Sequence, residues 1–449
     1  MTEPANNPRI IRVPILTRVE GEGSLYVSID GRHIEQVQLA IFEPPRLFEA
    51  LLRGRPCEEA PDITARICGI CPIAYQMTAV QALEQRFRIE IRPEIRELRR
   101  LMYCGEWIES HVLHVTMLQA PDFYGLDSGL ELAKQFPDEV KRALRMKKIG
   151  NRLLEILGGR AIHPVNLAVG GFYRLPRREE LQQLVPDLEW GLQAAVETAK
   201  WVASFSFPDF TQPYDYVALS RPDEYAILDG TLMSSRGLSC SVNEYENQFV
   251  EEQVPHSTAL HSKRLSSRES YFVGPLARIN LNRHQLSPLA IETATSLALP
   301  NPCFNPHMGI IARSIEVIHA FEEALEITQR YSPISEPRRP SAQTDLREES
   351  SLLSGCAATE APRGTIYHRY NIDEAGKILF AKIVPPTSQN QGQIEADLRT
   401  LLTTIVDQSD TEIALQCERL IRSYDPCISC STHFLKLRID RSLPRTTEP

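Results

Sequence analysis

The sequence predicts an α+β fold: a core of long helices carrying small antiparallel sheets. Three observations predict it. Apolar residues alternate over residues 10–41, with Asp30-Gly31 as a hairpin signal between the last two runs. The stretches 93–119, 136–157, 177–204 and 307–331 instead read as helices, with apolar seams at three-to-four spacing. Near the C-terminal end, residues 365–370 and 377–384 read as strands around the turn Asp373-Glu374-Ala375-Gly376.

Composition sets the outer limits. The chain has 449 residues and is 42% hydrophobic, enough for a sizeable core and against disorder. At about 150 residues per domain the prior is roughly three domains, with one large enzyme fold as the alternative. A net charge of -9 and a pI near 5.8 disfavour nucleic acid and anionic membrane as main partners. No stretch has the roughly 18 apolar residues that a membrane helix requires. The polar segment 1–9 shows no signal peptide. These features fit a reducing cytoplasm, where Cys57, Cys104, Cys240, Cys303, Cys356 and Cys417 are expected as buried free thiols.

Taken in order, Ile11, Val13 and Ile15, then Leu25, Val27 and Ile29, then Ile34, Val37, Leu39 and Ile41 predict a small sheet. Thr17-Arg18-Val19-Glu20-Gly21-Glu22-Gly23 connects its strands; on pattern alone Glu20 reads first as a solvated loop carboxylate, and the glycines would also let it approach a buried site. Residues 45–54 predict a short helix with Phe48, Leu51 and Leu52 on one side and Glu49 between them. Pro72 suits the first position of a helix, which puts Cys71 at its N-terminus, where the dipole should favour thiolate. Pro93 opens the long helix and Pro121 should stop it. His111 and His114 are neighbours on that helix, placed for core hydrogen bonding or, less commonly, metal ligation. Gly158-Gly159 should end the next helix, and Gly170-Gly171 should turn tightly. Short strands are expected at 216–219, 225–228 and 271–275. Residues 332–354, rich in Pro, Ser, Arg and Glu, read as a surface excursion. Pro385-Pro386-Thr387-Ser388 should break the last strand into a turn, before helices at 393–406 and 412–423. The whole reads as one large domain. Its parts are a β region at about 10–42, a helical core at about 43–330, the excursion, a β/α segment at about 360–433 and a tail at about 434–449.

Two Cys-x-x-Cys pairs near opposite ends organise this chain: Cys68 with Cys71, and Cys427 with Cys430. Either pair alone is a weak signal, but together they supply a four-thiolate set. The pairs of a small zinc ribbon usually sit within about 20 residues of each other, so this separation argues for a buried site closed late in folding. Four thiolates admit a structural zinc, an iron–sulfur cluster (whose usual spacings are absent) or a soft-metal redox site. A reactive site with proton traffic would use Glu20, Arg363 and the Asp425-Pro-Cys-x-x-Cys-x-x-His433 ending, which a structural zinc does not need.

With these motifs the chain resembles the large, catalytic subunit of nickel–iron hydrogenases, from about Val13 to His433. Arg66-Ile-Cys68-Gly-Ile-Cys71 and Asp425-Pro-Cys427-Ile-Ser-Cys430-Ser-Thr-His433 carry the resemblance, with Arg18-Val-Glu20-Gly and Ala361-Pro-Arg363-Gly. The resemblance implies that fold, and nickel on all four cysteines. It implies that Cys71 and Cys430 are shared with an iron carrying carbon monoxide and cyanide, near Arg363 and Thr387-Ser388. It implies heterolytic hydrogen cleavage, with Cys427 passing a proton to Glu20. It also implies a separate magnesium-type (or iron) site at Glu49 and His433. The wording of the last motif most resembles the cytoplasmic, NAD(P)-linked branch, of sulfhydrogenase and bidirectional type. That implies a small iron–sulfur subunit and flavin-bearing diaphorase subunits as partners. Nickel-insertion proteins and a maturation endopeptidase, which would remove 434–449, are implied too. Two departures touch proton routing: Tyr75 and Glu22 stand where the family often has histidine. The rivals are a quinone-site subunit of the same fold, which lacks the cysteine pairs, and a zinc-stabilised scaffold or assembly protein.

Overall fold

In the computed structural model, which describes residues 8–42, 47–334, 337 and 354–432, the N-terminal alternation forms an antiparallel sheet in the order β1-β2-β3. Its strands are β1 (Arg9–Val13), β2 (Gly23–Asp30) and β3 (His33–Ile41). Val13, Leu25 and Leu39 share one row across the sheet, and Ile11, Val27 and Val37 another. All six are buried, so the period of two turns one face of the sheet inward. Ile15, expected in the first strand, lies beyond its end and is 62% exposed.

The helices follow. α1 (Phe48–Leu52) buries Leu52 and leaves Leu51 exposed; α2 is Ala60–Thr64. α3 (Pro72–Phe87) starts directly after Cys71, with Pro72 in its first turn as expected. α4 (Pro93–Leu113) does not run to Pro121 as one helix. It widens into a π-helical turn over His114–Gln119 and continues as α5 (Ala120–Phe123). Pro121 sits in the first turn of α5, where its missing N–H loses little, so it does not stop the helix. α6 (Gly129–Gln135) is capped by the Ser128 hydroxyl, which accepts from Glu131 N. α7 (Pro137–Gly158) ends at Gly159 in the left-handed region, φ 77°. α7 packs on α4 through facing glycines. A Cβ on Gly150 would fall 2.7 Å from the Gly105 carbonyl oxygen, so the approach requires glycine.

β4 (Leu167–Ala168) and β5 (Gly171–Phe172) form the tight turn expected at Gly170-Gly171. The helix expected at 177–204 is two: α8 (Arg178–Gln182) and α9 (Val185–Ala203). Pro186, lacking an N–H, opens the first turn of α9 and breaks the continuity. β6 (Val217–Ser220), β7 (Thr231–Ser234) and β8 (Ser239–Cys240) form one sheet; after α10 (Tyr245–Gln248), β9 (Phe249–Gln253) and β10 (Leu260–Arg264) form a hairpin. Of the three strands expected here, 216–219 corresponds to β6. Residues 225–228 are irregular, and 271–275 makes a bridge between Phe272 and Tyr216 before Pro275 opens a helix. α11 (Pro275–Asn282) and α12 (Pro288–Ser296), neither foreseen, precede α13 (Gly309–Arg330). α4 packs against both α7 and α13, and α9 covers α13.

The C-terminal hairpin gains a third strand: β11 (Ser354–Ala361), β12 (Gly364–Ile372) and β13 (Ile378–Val384). Thr387 and Ser388 do not form a separate turn. They lie in the first turn of α14 (Pro386–Ile405), which begins earlier than the expected 393. α15 (Asp410–Ser423) carries a Ser409–Glu412 capping box, and α16 (Ile428–Ser431) follows the second cysteine pair's first member. The excursion at 332–354, apart from 332–334, 337 and Ser354, lies outside the described residues, as do His433 and the tail. All ten cysteines are free and buried. Among the described residues, no helix is long and apolar enough to cross a membrane.

Candidate metal centre

The first cysteine pair is built into the start of α3. Cys68 Sγ accepts hydrogen bonds from the backbone N–H groups of Ile70 (3.3 Å) and Cys71 (3.0 Å). Two residues on, Glu106 of α4 accepts from Ile73 N at 2.6 Å and Ala74 N at 3.2 Å. This buried carboxylate takes up N–H groups that the helix would otherwise aim at Cys71.

The second pair is hung between separate elements. Asp425, in the left-handed region at φ 55°, follows α15. Its carbonyl oxygen accepts from Arg363 Nε at 2.8 Å and its carboxylate from Arg363 Nη2 at 3.1 Å. Arg363 is in the two-residue turn between β11 and β12, where Ala361 pairs with Gly364. Cys427 N donates to Thr387 Oγ1 at 2.9 Å, and Ile428 N donates to the Glu20 carbonyl at 2.9 Å. Ile428 packs with Ile41 and Ala259, and Ala259 forms a bridge with Thr432.

These elements bring the four sulfurs within 4.8 Å of one another, all buried. Cys68 and Cys427 approach to 3.7 Å across the site, and each pair is 2.7 Å apart internally. Burial opposes charge on every sulfur. Hydrogen bonds from the other cysteines, with the Arg363 guanidinium, hold the charge on Cys68 and lower its pKa well below that of an ordinary thiol. Cys71, Cys427 and Cys430 are pushed up, first by burial. The expectation for Cys71 is therefore corrected. Burial and the neighbouring sulfurs outweigh the helix terminus, whose N–H groups Glu106 already engages. Glu20, half-buried, lies with Oε2 at 3.1 Å from Cys427 Sγ. Arg363 is 3% exposed, and its Nη1 has no hydrogen-bond partner among the described residues. Burial acts against its charge, but Asp425 and the thiolates raise its pKa well above the usual value.

The structure thus brings together Cys68, Cys71, Cys427, Cys430, Glu20, Arg363 and Thr387. Ser388 is buried but donates its hydroxyl to Pro385 O at 2.9 Å. Glu49 Oε1 accepts from Ile383 N at 2.7 Å; its expected companion, His433, is outside the described residues. Tyr75 is fully buried, its ring 5.9 Å from that of His368, and its hydroxyl lacks a hydrogen-bond partner among the described residues. Burial, then the cysteine charges, push its phenol up, so it stays protonated. Glu22 is exposed. His111 and His114 take the core role. His114 Nε2 is 2.9 Å from the Arg422 carbonyl, and His111 Nε2 lies 3.0 Å from Glu316 Oε2, an ion-pair contact without hydrogen-bond geometry. Sequence reasoning missed Glu106 and the part played by Asp425. A carboxylate inside the apolar seam of a long helix was the available signal for Glu106, and the Asp-Pro before Cys427 was the signal for Asp425.

The nickel-dependent hydrogenase family matches residues 46–141 and 264–433. The chain is 31% identical to the sulfhydrogenase 1 subunit alpha of Pyrococcus furiosus, over 95% of this chain and 98% of that one. It is 27% identical to the NAD-reducing hydrogenase HoxS subunit beta of Cupriavidus necator, over 94% of each. A solved NAD+-reducing NiFe hydrogenase in the H2-reduced state shares the fold, with a TM-score of 0.84 at 24% identity, covering 95% of this chain and 99% of that one.

Proposed function

The chain belongs to the nickel-dependent hydrogenases as their catalytic large subunit, and we propose that Cys68, Cys71, Cys427 and Cys430 hold its nickel–iron centre. The observation that carries this reading is the convergence of four buried sulfurs from both ends of the chain within 4.8 Å. The donor set fits soft, thiolate-seeking metals. The unpartnered Arg363 Nη1 fits polar ligands on the iron, carbon monoxide and cyanide being those the family implies. When bound, the centre supplies the Lewis-acid and redox chemistry that splits hydrogen heterolytically and reversibly.

The chain's own residues handle protons and positioning. Cys427 Sγ takes the proton and Glu20 Oε2, 3.1 Å away, receives it. Arg363, fixed by Asp425 on two of its nitrogens, keeps its third, Nη1, unpartnered among the described residues and so open to a polar ligand. The Thr387 hydroxyl accepts from Cys427 N, so its own hydrogen remains available to a cyanide. The Ser388 hydrogen is engaged by Pro385 O, which favours Thr387 as the donor. Glu49, steadied by Ile383 N, would join His433 at a magnesium-type ion.

Electrons would leave through a small iron–sulfur subunit to a flavin and NAD(P) module in the cytoplasm. The similarity to an NAD-reducing hydrogenase subunit supports this. Nickel-insertion proteins and an endopeptidase acting after His433 would complete maturation. An intact mass of the nickel-loaded subunit ending at His433 is the expected result.

Metal analysis and infrared spectroscopy of the purified complex test the central reading. Nickel and iron together, with bands of iron-bound carbon monoxide and cyanide, are expected. Stoichiometric zinc with neither nickel nor those bands overturns the reading and leaves a zinc-stabilised scaffold.

A further inference from the structure

Away from the cysteines, three ligand-type side chains converge: His256, His261 and Glu395. One ligand atom from each lies within 4.8 Å of the others. His256 Nε2 is 2.8 Å from Glu395 Oε1, and His261 Nδ1 is 4.0 Å from Glu395 Oε2. The two imidazole rings are 5.7 Å apart and steeply inclined, at 84°. They therefore reach the carboxylate from different directions.

The fold builds this arrangement deliberately into two elements. His256 stands in the connection between β9 and β10, and His261 is the second residue of β10. Glu395 projects from α14, which packs on that strand. Its Oε1 also accepts from Leu39 N at 2.9 Å, which fixes the carboxylate's orientation, as outer hydrogen bonds do for metal ligands. His261 is 3% exposed, and its Nε2 finds no hydrogen-bond partner among the described residues. The ring nitrogen that faces Glu395 is Nδ1, so Nδ1 is the ligating atom, and the unpartnered Nε2 is the ring's other nitrogen.

We propose that His256, His261 and Glu395 form a further binding site, for a divalent transition-metal ion of the zinc class. Two imidazoles and one carboxylate suit such an ion, which leaves a position for water. Calcium or magnesium would require more oxygen ligands. Bonds of about 2.0–2.2 Å need the ligand atoms roughly 3–3.5 Å apart, a spacing between the two separations seen here. Small side-chain rotations reach it.

The site's place in the fold gives it a consequence. The connection from His256 to His261 contains Thr258, whose N–H donates to Ile41 O at 2.8 Å, and Ala259, which bridges to Thr432. Ala259 and Ile41 are also the apolar wall against which Ile428 packs. An ion tying this connection to α14 would stiffen the wall behind Cys427 and Cys430 without touching either. The proposal stands independently of what those cysteines hold.

The test uses the purified, nickel-containing complex of wild type, His256→Gln and Glu395→Gln. Each is freed of loosely held metal, offered zinc and assayed for zinc, nickel and iron together. Wild type should take up zinc stoichiometrically beyond its other metals. Both variants should bind it at least about tenfold more weakly, with nickel unchanged. Amide exchange over residues 427–432 should slow on zinc addition in wild type and not in the variants. No uptake by wild type, or equal uptake by all three, overturns the assignment. Cobalt(II) bound to wild type provides a check that needs no variant. Imidazole and carboxylate ligation in its spectrum supports the site, and thiolate charge-transfer bands overturn it.

Discussion

The two cysteine pairs hold equivalent places in the sequence pattern and very different places in the fold. Cys68 and Cys71 belong to the start of one long helix, and that helix packs on β11 and β12. Their surroundings are settled by local hydrogen bonds and by Glu106 of the adjacent α4. Cys427 and Cys430 lie on one turn of helix held by contacts from remote parts of the chain. These are Glu20, Arg363, Thr387 and the Ala259–Thr432 bridge. The first pair is a foundation and the second is a closure. If the four cysteines hold the proposed centre, its first half rests on the core and its second on several separate hydrogen bonds, each a modest contribution.

The largest expected effect falls on both halves alike. Cys68→Ser and Cys427→Ser should each abolish hydrogen uptake and nickel retention. Metal content beside activity measures it, and full activity in either variant would dismiss the four-cysteine centre. Glu20→Gln should separate chemistry from assembly. It keeps the shape at Cys427 but removes the base, so hydrogen–deuterium exchange should slow by about 10²–10⁴-fold with nickel and iron retained. Exchange near the wild-type rate would move the relay elsewhere, and the exposed Glu22 is a poor substitute.

Smaller effects should divide the halves. Glu106→Ala strips the acceptor from two buried N–H groups and opens a cavity. It should cost about 3–5 kcal/mol in thermal stability, whether or not metal is loaded. If only the loaded protein suffers, the first pair is not a preformed foundation. Asp397, on α14, accepts from the hydroxyls of Tyr214 and Tyr424 at 2.6 Å each, and so links that helix to the segment before Cys427. Burial, against these hydrogen bonds, raises its pKa from 3.8 to about 6. The folded state thus favours the protonated carboxyl. Its contribution is complete below about pH 4 and lost as pH rises through 6, which amounts to about 3 kcal/mol. Asp397→Asn should flatten that fall in a denaturation series across pH. An unchanged slope would assign the pH dependence to other groups. Thr387→Val is expected to be mildest in stability, about 1–3 kcal/mol for the orphaned Cys427 N–H. It should still weaken nickel retention by about 10–100-fold, as lost outer hydrogen bonds do. A metal-free melting loss as large as that of Glu106→Ala would erase the distinction between foundation and closure.

The sequence by itself determined the α+β class, the N-terminal sheet, the helix that begins after Cys71, and the two thiol pairs as candidate donors. Each follows from short-range physics: a period of two or of three to four, the missing N–H of proline, the chemistry of a thiol pair. It also carried the family resemblance, because motifs are local. What only the tertiary structure decided is where distant segments meet. Pro121 continues a helix through a π turn, and Pro186 divides one. Thr387 enters the site from the first turn of α14 while Ser388, beside it, turns to Pro385 O. The pKa of Cys71 is raised and that of Cys68 lowered, since burial and neighbouring groups outweigh a helix terminus already engaged by Glu106. His256, His261 and Glu395 carried no motif at all. Their convergence depends on a hairpin and a helix more than a hundred residues apart in sequence, which spacing cannot encode and packing can.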